Sequence, residues 1–200
     1  MRQWLCRVID VGKGRLEAFS DGVIAVIITI MVLELKAPHG TELSELLPLW
    51  PTFLTYVLSF IYIGIYWVNH HHFFHIIHKV SGGLLWANLH LLFWLSLVPF
   101  TTAWMGENHF ATIPVALYGA NLLASAIAYT ILSLVAVRVH GPDSEIARAF
   151  GSDRKGKISV AFYVASIPIA FYSPAISCAF FAIVALIWFV PDKRIERIIG

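Results

Sequence analysis

Charge is scarce in this chain: only 13% of its 200 residues are Asp, Glu, Lys or Arg, about half of the roughly 25% usual in a soluble domain. Cysteine is scarcer still. Cys6 and Cys178 are the only two, far apart and in or beside apolar segments, so neither a disulfide framework nor a cysteine metal cage is implied. The sequence holds no HExxH, GxSxG, P-loop or GxGxxG pattern and no paired catalytic carboxylate, and the chain reads as a non-enzyme without a cofactor. Internal repeats are lacking too, so any closed symmetric assembly must come from several copies. The first apolar segment has no small-residue cleavage site, and Asp21 and Glu34 interrupt it. It is expected to be a retained helix, not a signal peptide.

What is abundant is apolar surface, at 58% of residues, arranged in long blocks. A spanning helix needs roughly 20 such residues, which predicts an all-α polytopic membrane protein, one domain over residues 1–200. Six spans are expected near 15–35, 51–74, 83–102, 112–137, 158–172 and 174–188, with a basic loop over 138–157. Pro48 and Pro51 suit the start of the second span, Pro99 the bending or ending of the third, and Ser173-Pro174 the break between the last two. With the N-terminus inside, the inner side collects Arg2, Arg7, Lys13, Arg15, Lys79, Arg138, Arg148, Arg154, Lys155, Lys157, Lys193, Arg194 and Arg197, leaving only Lys36 outside. The positive-inside rule then puts both termini in the cytoplasm. The basic loop, whose one Phe, Tyr or Trp is Phe150, does not read as a nucleic-acid surface.

Polar groups inside apolar helices are costly and point to structure or function. In the first span the charge-free core, Gly22 to Leu33, is only 12 residues long, so Asp21, Glu34 or both must approach membrane depth within protein. Arg15, Glu17, Ser20 and Asp21 are expected to meet partners from spans two and three, among them Trp67, Asn69, His70, His71, His72, Trp86, Asn88 and His90. Such a network either only fastens helix one or also serves the function. Further along, Val26, Ile30 and Leu33 share one face, with Thr29 beside them. If span one lines a central axis, copies of this stripe stack as rings that exclude water, a recognised way to gate a conduit. His70, His71, His72, His75 and His78 cluster near the end of span two. Neutral imidazoles there would suit a metal, haem or a pH response, but no carboxylate or cysteine accompanies them with ligand spacing.

The run Arg15-x-x-x-Phe19-Ser20-Asp21 resembles the signature of the transmembrane protein 175 family, the bacterial relatives of the endosomal and lysosomal potassium channel. Trp67, Asn69-His70-His71 and Phe74, then Asn88-Leu89 through Pro99-Phe100, and finally Ser173-Pro174, Trp188 and Pro191-Asp192, extend the likeness over most of the chain. The resemblance implies six helices per subunit in a bacterial inner membrane and a homotetramer in which helix one lines the pore. It implies a potassium leak with modest preference over sodium, no metal beyond transient potassium, and no carbonyl-lined TVGYG filter, which this sequence indeed lacks. Carried onto this chain, Val26, Ile30 and Leu33 form the constriction and Thr29 the selectivity element. Arg15, Phe19, Ser20, Asp21, Trp67, Asn69, His70, His71 and Asn88 form the network coupling helix one to its neighbours. Val26 is smaller than the aliphatic residue expected in the narrowest ring, which implies either a weaker seal or a tightest point shifted toward Ile30. Two other readings compete: a proton-coupled secondary transporter using Arg15, Asp21 and His70 to His72 as a relay, and a non-transporting scaffold or haem protein.

Overall fold

A computed structural model describes residues 12–150 and 153–189, without the side chains of residues 149 and 150. Cys6, Arg2, Arg7, Pro191-Asp192, Lys193, Arg194 and Arg197 lie outside the described residues. Eight α-helices follow in order: α1 (Lys13–Leu33), α2 (Trp50–His75), α3 (Gly82–Ser96), α4 (Val98–Glu107), α5 (Thr112–His140), α6 (Glu145–Phe150), α7 (Arg154–Ala170) and α8 (Pro174–Phe189), with a short 3₁₀ helix, Leu43–Leu49, leading into α2. Four helical stretches are long and apolar enough to cross a membrane: Lys13–Leu33, Leu43–His75, Gly82–Glu107 and Thr112–His140. The helices α7 and α8, with 17 and 16 residues, are shorter.

Local chemistry sets most of the boundaries. Pro51 stands in the first turn of α2, where its missing N–H costs nothing. Ser81 caps α3 by accepting from the Leu84 amide at 3.2 Å, and Asp153 caps α7 by accepting from Gly156 at 2.8 Å. Pro99 does not end the third span at residue 102. It interrupts the helix at Leu97 and then occupies the first turn of a new one, so the rod continues as α4 to Glu107. That end closes with His109 and Phe110 in the left-handed region, at φ 50° and 58°. The Phe110 amide donates to Met105 O at 3.0 Å and that of His109 to Gly106 O at 3.1 Å, the Schellman pattern, with histidine where glycine is usual. The expected loop 138–157 is also shorter: α5 runs on to His140, α6 fills part of the connection, and Arg154, Lys155 and Lys157 already belong to α7.

The long helix α5 is the hub, packing against α3, α4, α7 and α8. Apolar side chains gain little by choosing a neighbouring helix over lipid tails, so close approach and interhelical hydrogen bonds must hold such a bundle. Both are present. The Thr102 hydroxyl donates to Ser59 Oγ at 2.6 Å, which shares a 2.9 Å bond with Tyr118 Oη, and Tyr62 Oη donates to the Phe181 carbonyl at 2.7 Å. Gly106 sits where a Cβ would fall 2.6 Å from Thr55 Oγ1 and 2.9 Å from the Thr52 Cα. The second of these is backbone and cannot rotate away. Gly106→Val is therefore expected to separate α4 from α2 and abolish a monodisperse peak in size-exclusion chromatography, whereas Gly22→Ala, whose Cβ meets nothing within 4 Å, leaves it intact.

Two ends of the bundle are distinguishable. At one, Lys36 Nζ donates to Glu107 Oε1 at 2.9 Å, a bond that raises the Lys36 pKa above its usual value, with the Glu107 charge adding to it. On the basic side this exposed pair persists until the pH passes above the ordinary lysine value and the Lys36 ammonium loses its proton. Every other described Lys and Arg lies toward the opposite end, where Lys13 Nζ donates to the His75 carbonyl at 3.0 Å.

Candidate functional site: the two faces of the first helix

The first helix presents two faces of different character. Leu16, Ser20, Ile24, Ile27 and Met31 recur at helical spacing and are all buried against α2 and α3. Another side, with Val26 at 54%, Ile30 at 42% and Leu33 at 76% exposure, is left open, with α4 alongside. Thr29 is exposed beside them, and its hydroxyl donates back to the Val26 and Ala25 carbonyls at 2.9 and 3.0 Å. With its proton spent inside the helix, the Thr29 oxygen is left as an acceptor.

The exposed face forms one wall of an open groove of about 930 Å³. Phe19, Gly22, Val26 and Ile30 line it from α1, and Phe100 and Trp104 from α4. Glu34 and Glu107 stand at its far end. The α4 wall was not foreseen from sequence; the one available signal was Pro99, which suits the start of a helix as well as the end of one.

The buried face is tied by a directional chain of hydrogen bonds. His70 Nε2 lies 2.8 Å from Asn88 Oδ1; an amide oxygen only accepts, so this nitrogen carries the hydrogen. Asn88 Nδ2 donates to Ser20 Oγ at 2.9 Å, and Ser20 Oγ donates to the Leu16 carbonyl at 2.8 Å. His70, Asn88 and Ser20 are all buried, and no buried side-chain nitrogen or oxygen among the described residues lacks a partner. At the margin, Trp67 Nε1 donates to Asp21 Oδ1 at 3.1 Å. One residue from each of α1, α2 and α3 thus meets in the buried chain, fixing both the rotation of α1 and its height.

The structure brings Ser20, Asp21, Trp67, His70 and Asn88 together and leaves the other expected network residues apart. Arg15 is exposed and makes no side-chain hydrogen bond or ion pair among the described residues, because it lies one residue off the buried face. Phe19 is half exposed and faces the groove. Asn69 turns back on its own helix, donating to the Ile65 carbonyl at 2.8 Å. His71 is exposed and stacks on Trp67, with ring centroids 6.1 Å apart. Trp86 and His90 are exposed; His90 accepts from Trp94 Nε1 at 2.9 Å. The histidines diverge around α2, His70 inward and His71, His75 and His78 outward. Among the described residues no group of three His, Cys, Asp or Glu side chains is placed to hold a metal ion.

Comparison with known proteins bears on this arrangement. The family described as the endosomal/lysosomal potassium channel TMEM175 matches residues 15–99, which hold α1, the buried chain and the start of α4. A potassium channel of Chryseobacterium sp. (strain P1-3) is 58% identical over 185 residues, covering 92% of this chain and 96% of that protein. The endosomal/lysosomal proton channel TMEM175 of Gallus gallus is 37% identical over 87 residues, 36% of this chain and 17% of the longer protein. The crystal structure of a lysosomal potassium-selective channel TMEM175 homologue from Chamaesiphon minutus superposes with a TM-score of 0.78 at 30% identity, covering 89% of this chain and 96% of that one. These relatives are ion channels, not enzymes, and the match extends from α1 through the rest of the bundle. The chain is therefore a multi-pass membrane protein and an ion channel of the TMEM175 family.

Proposed function

We propose that four copies of this chain assemble around α1 as a potassium channel with moderate preference over sodium. The observation that carries the reading is the asymmetry of α1. One face is locked to α2 and α3 by buried hydrogen bonds, and the side carrying Val26, Thr29, Ile30 and Leu33 stays exposed. Both a bacterial relative and the C. minutus structure bear the name of potassium channels.

In this arrangement Val26, Ile30 and Leu33 form successive apolar rings, and Thr29 offers its oxygen to the passing ion. No carbonyl cage replaces lost water at such a neck, so selection comes from hydration. Sodium holds its water more tightly than potassium, and an apolar constriction favours the ion that dehydrates at lower cost. The buried His70–Asn88–Ser20 chain fixes which face of α1 turns inward.

The same proposal includes six spans. At 1.5 Å per residue, α7 and α8 reach about 25 Å, a few ångströms short of the roughly 30 Å hydrocarbon core, a mismatch bilayers absorb at modest cost. Concentration of the described Lys and Arg at one end, with Lys36 alone at the other, supports cytoplasmic termini in a bacterial cell membrane.

The test is the reversal potential of purified protein in a planar bilayer with potassium on one side and sodium on the other. A shift toward the potassium equilibrium value, carried by unitary currents, is expected. A reversal potential that follows only an imposed pH gradient would replace potassium by protons, the ion named for the vertebrate relatives. Silence from folded, inserted protein would overturn the channel reading for this chain.

A further inference from the structure

The proposed conduction makes no use of His140, yet this residue at the end of α5 has both ring nitrogens engaged. Nε2 lies 3.1 Å from the backbone nitrogen of His78 and 3.1 Å from that of Lys79. Nδ1 lies 2.9 Å from the Ala136 carbonyl oxygen. Backbone N–H groups only donate, so Nε2 presents its lone pair; a carbonyl only accepts, so Nδ1 carries the hydrogen. The surroundings thus define a neutral imidazole in a single tautomer.

We propose that His140 is a positioning residue with a built-in pH dependence: neutral, it clasps the connection between α2 and α3 to the end of α5, and protonated, it lets that connection go. A proton on Nε2 would set an N–H against two other N–H groups and remove the acceptor that both share. The connection itself brings His78 and Lys79 to bear on the ring, and both oppose a second positive charge there. Around it, α5 carries Arg138, the following turn Asp143, α6 Glu145 and Arg148, and α7 Arg154, Lys155 and Lys157. The end of α2 carries His75, and α3 has His90 as its one titratable group.

The clasp matters because of what it joins. The connection links the helix that supplies Trp67 and His70 to the helix that supplies Asn88, and these hold Asp21 and Ser20 of α1. Releasing it loosens the hairpin that sets the rotation of α1. This last step rests on the channel reading; the titration of the clasp does not.

The experiment uses the full chain in nanodiscs with ¹⁵N-labelled histidine and backbone amides. At pH 8 the His140 ring is expected to show Nδ1–H and a bare Nε2. Between about pH 8 and 5, the range in which histidine changes charge, the His78 and Lys79 amides should lose their hydrogen-bonded shifts in step with that ring. Glutamine places an acceptor oxygen near the position of Nε2 and does not titrate. If the hairpin loosens α1, the bilayer current of the wild-type chain should also change between pH 8 and 5. His140→Gln should hold both amide shifts constant and lose that change in current, while His140→Leu should resemble the acid form already at pH 8. An Nε2–H tautomer at pH 8, or amides indifferent to the ring's charge, would overturn the clasp. Silence from all three proteins at every pH would count against the channel reading, and the amide titration would still decide the clasp.

Discussion

Ile30→Asn is expected to raise the current by about tenfold and to reduce the preference for potassium. Ile30 lies between Val26 and Leu33 on the exposed side of α1, and in the proposed pore its bulkier ring is narrower than that of Val26. An apolar ring obstructs ions by failing to hold water. Four amides in its place would keep the neck wet, and a fall of only about 1.4 kcal/mol in the barrier multiplies the rate tenfold. A wetter neck also strips less water from either ion, which is why selectivity should fall as current rises. Ile27→Asn is the matched control. Ile27 lies one turn from Ile30 but is packed into the core, 4% exposed, so an amide there should cost stability without the gain in current. Bilayer recordings of both variants under mixed potassium and sodium check the pair; an Ile30→Asn channel with unchanged conductance and selectivity would remove these residues from the constriction.

Asn88→Leu should be the most destabilising single change in the buried chain. Interhelical hydrogen bonds in membrane bundles contribute only about 0.6 kcal/mol on average, so the lost bonds themselves are a minor effect. The larger cost is that His70 Nε2–H loses its acceptor and Ser20 its donor, both buried. Stranding a buried polar group costs about 1–3 kcal/mol. For a chain of this size each kcal/mol lowers the midpoint by about 2–4 °C, so two stranded groups should lower thermal unfolding by about 4–24 °C. Adding Ser20→Ala and His70→Phe to Asn88→Leu should cost less than the sum of the three single changes, because no polar group is then stranded. Strict additivity would mean the three residues do not act as one unit. Trp67→Phe should matter less, since its partner Asp21 is only half buried.

How far the sequence reached varied with how local the determining physics is. Helix starts at Pro51 and Pro174 follow from the chemistry of one or two residues and were legible. Pro99 was read as a bend or an end; it starts a helix, because a proline in a first turn gives up nothing, and only packing of α4 against α2 shows that the rod goes on. Ser20, Asp21, Trp67, His70 and Asn88 were recognisable as groups too polar for lipid, and the structure supplies their order and direction. Arg15 and Asn69 have the same polar character, yet neither joins the chain. A shift of one residue turns a helical side chain by about 100°, and composition does not report that rotation. The His140 clasp was invisible for a related reason: its partners are backbone amides, which every residue carries.

The sequence by itself determined the solvent and the class. Few charges, long apolar blocks and positive residues gathered into alternate gaps leave a helical membrane protein as the answer, since backbone groups in lipid must be satisfied within helices or closed barrels. The tertiary structure alone decided which side of α1 is held and which is open. Both faces of that helix are apolar, and lipid, a neighbouring helix and a copy of the same chain all accept apolar surface equally well. Only the buried hydrogen bonds to α2 and α3, made at defined distances and angles, break the tie.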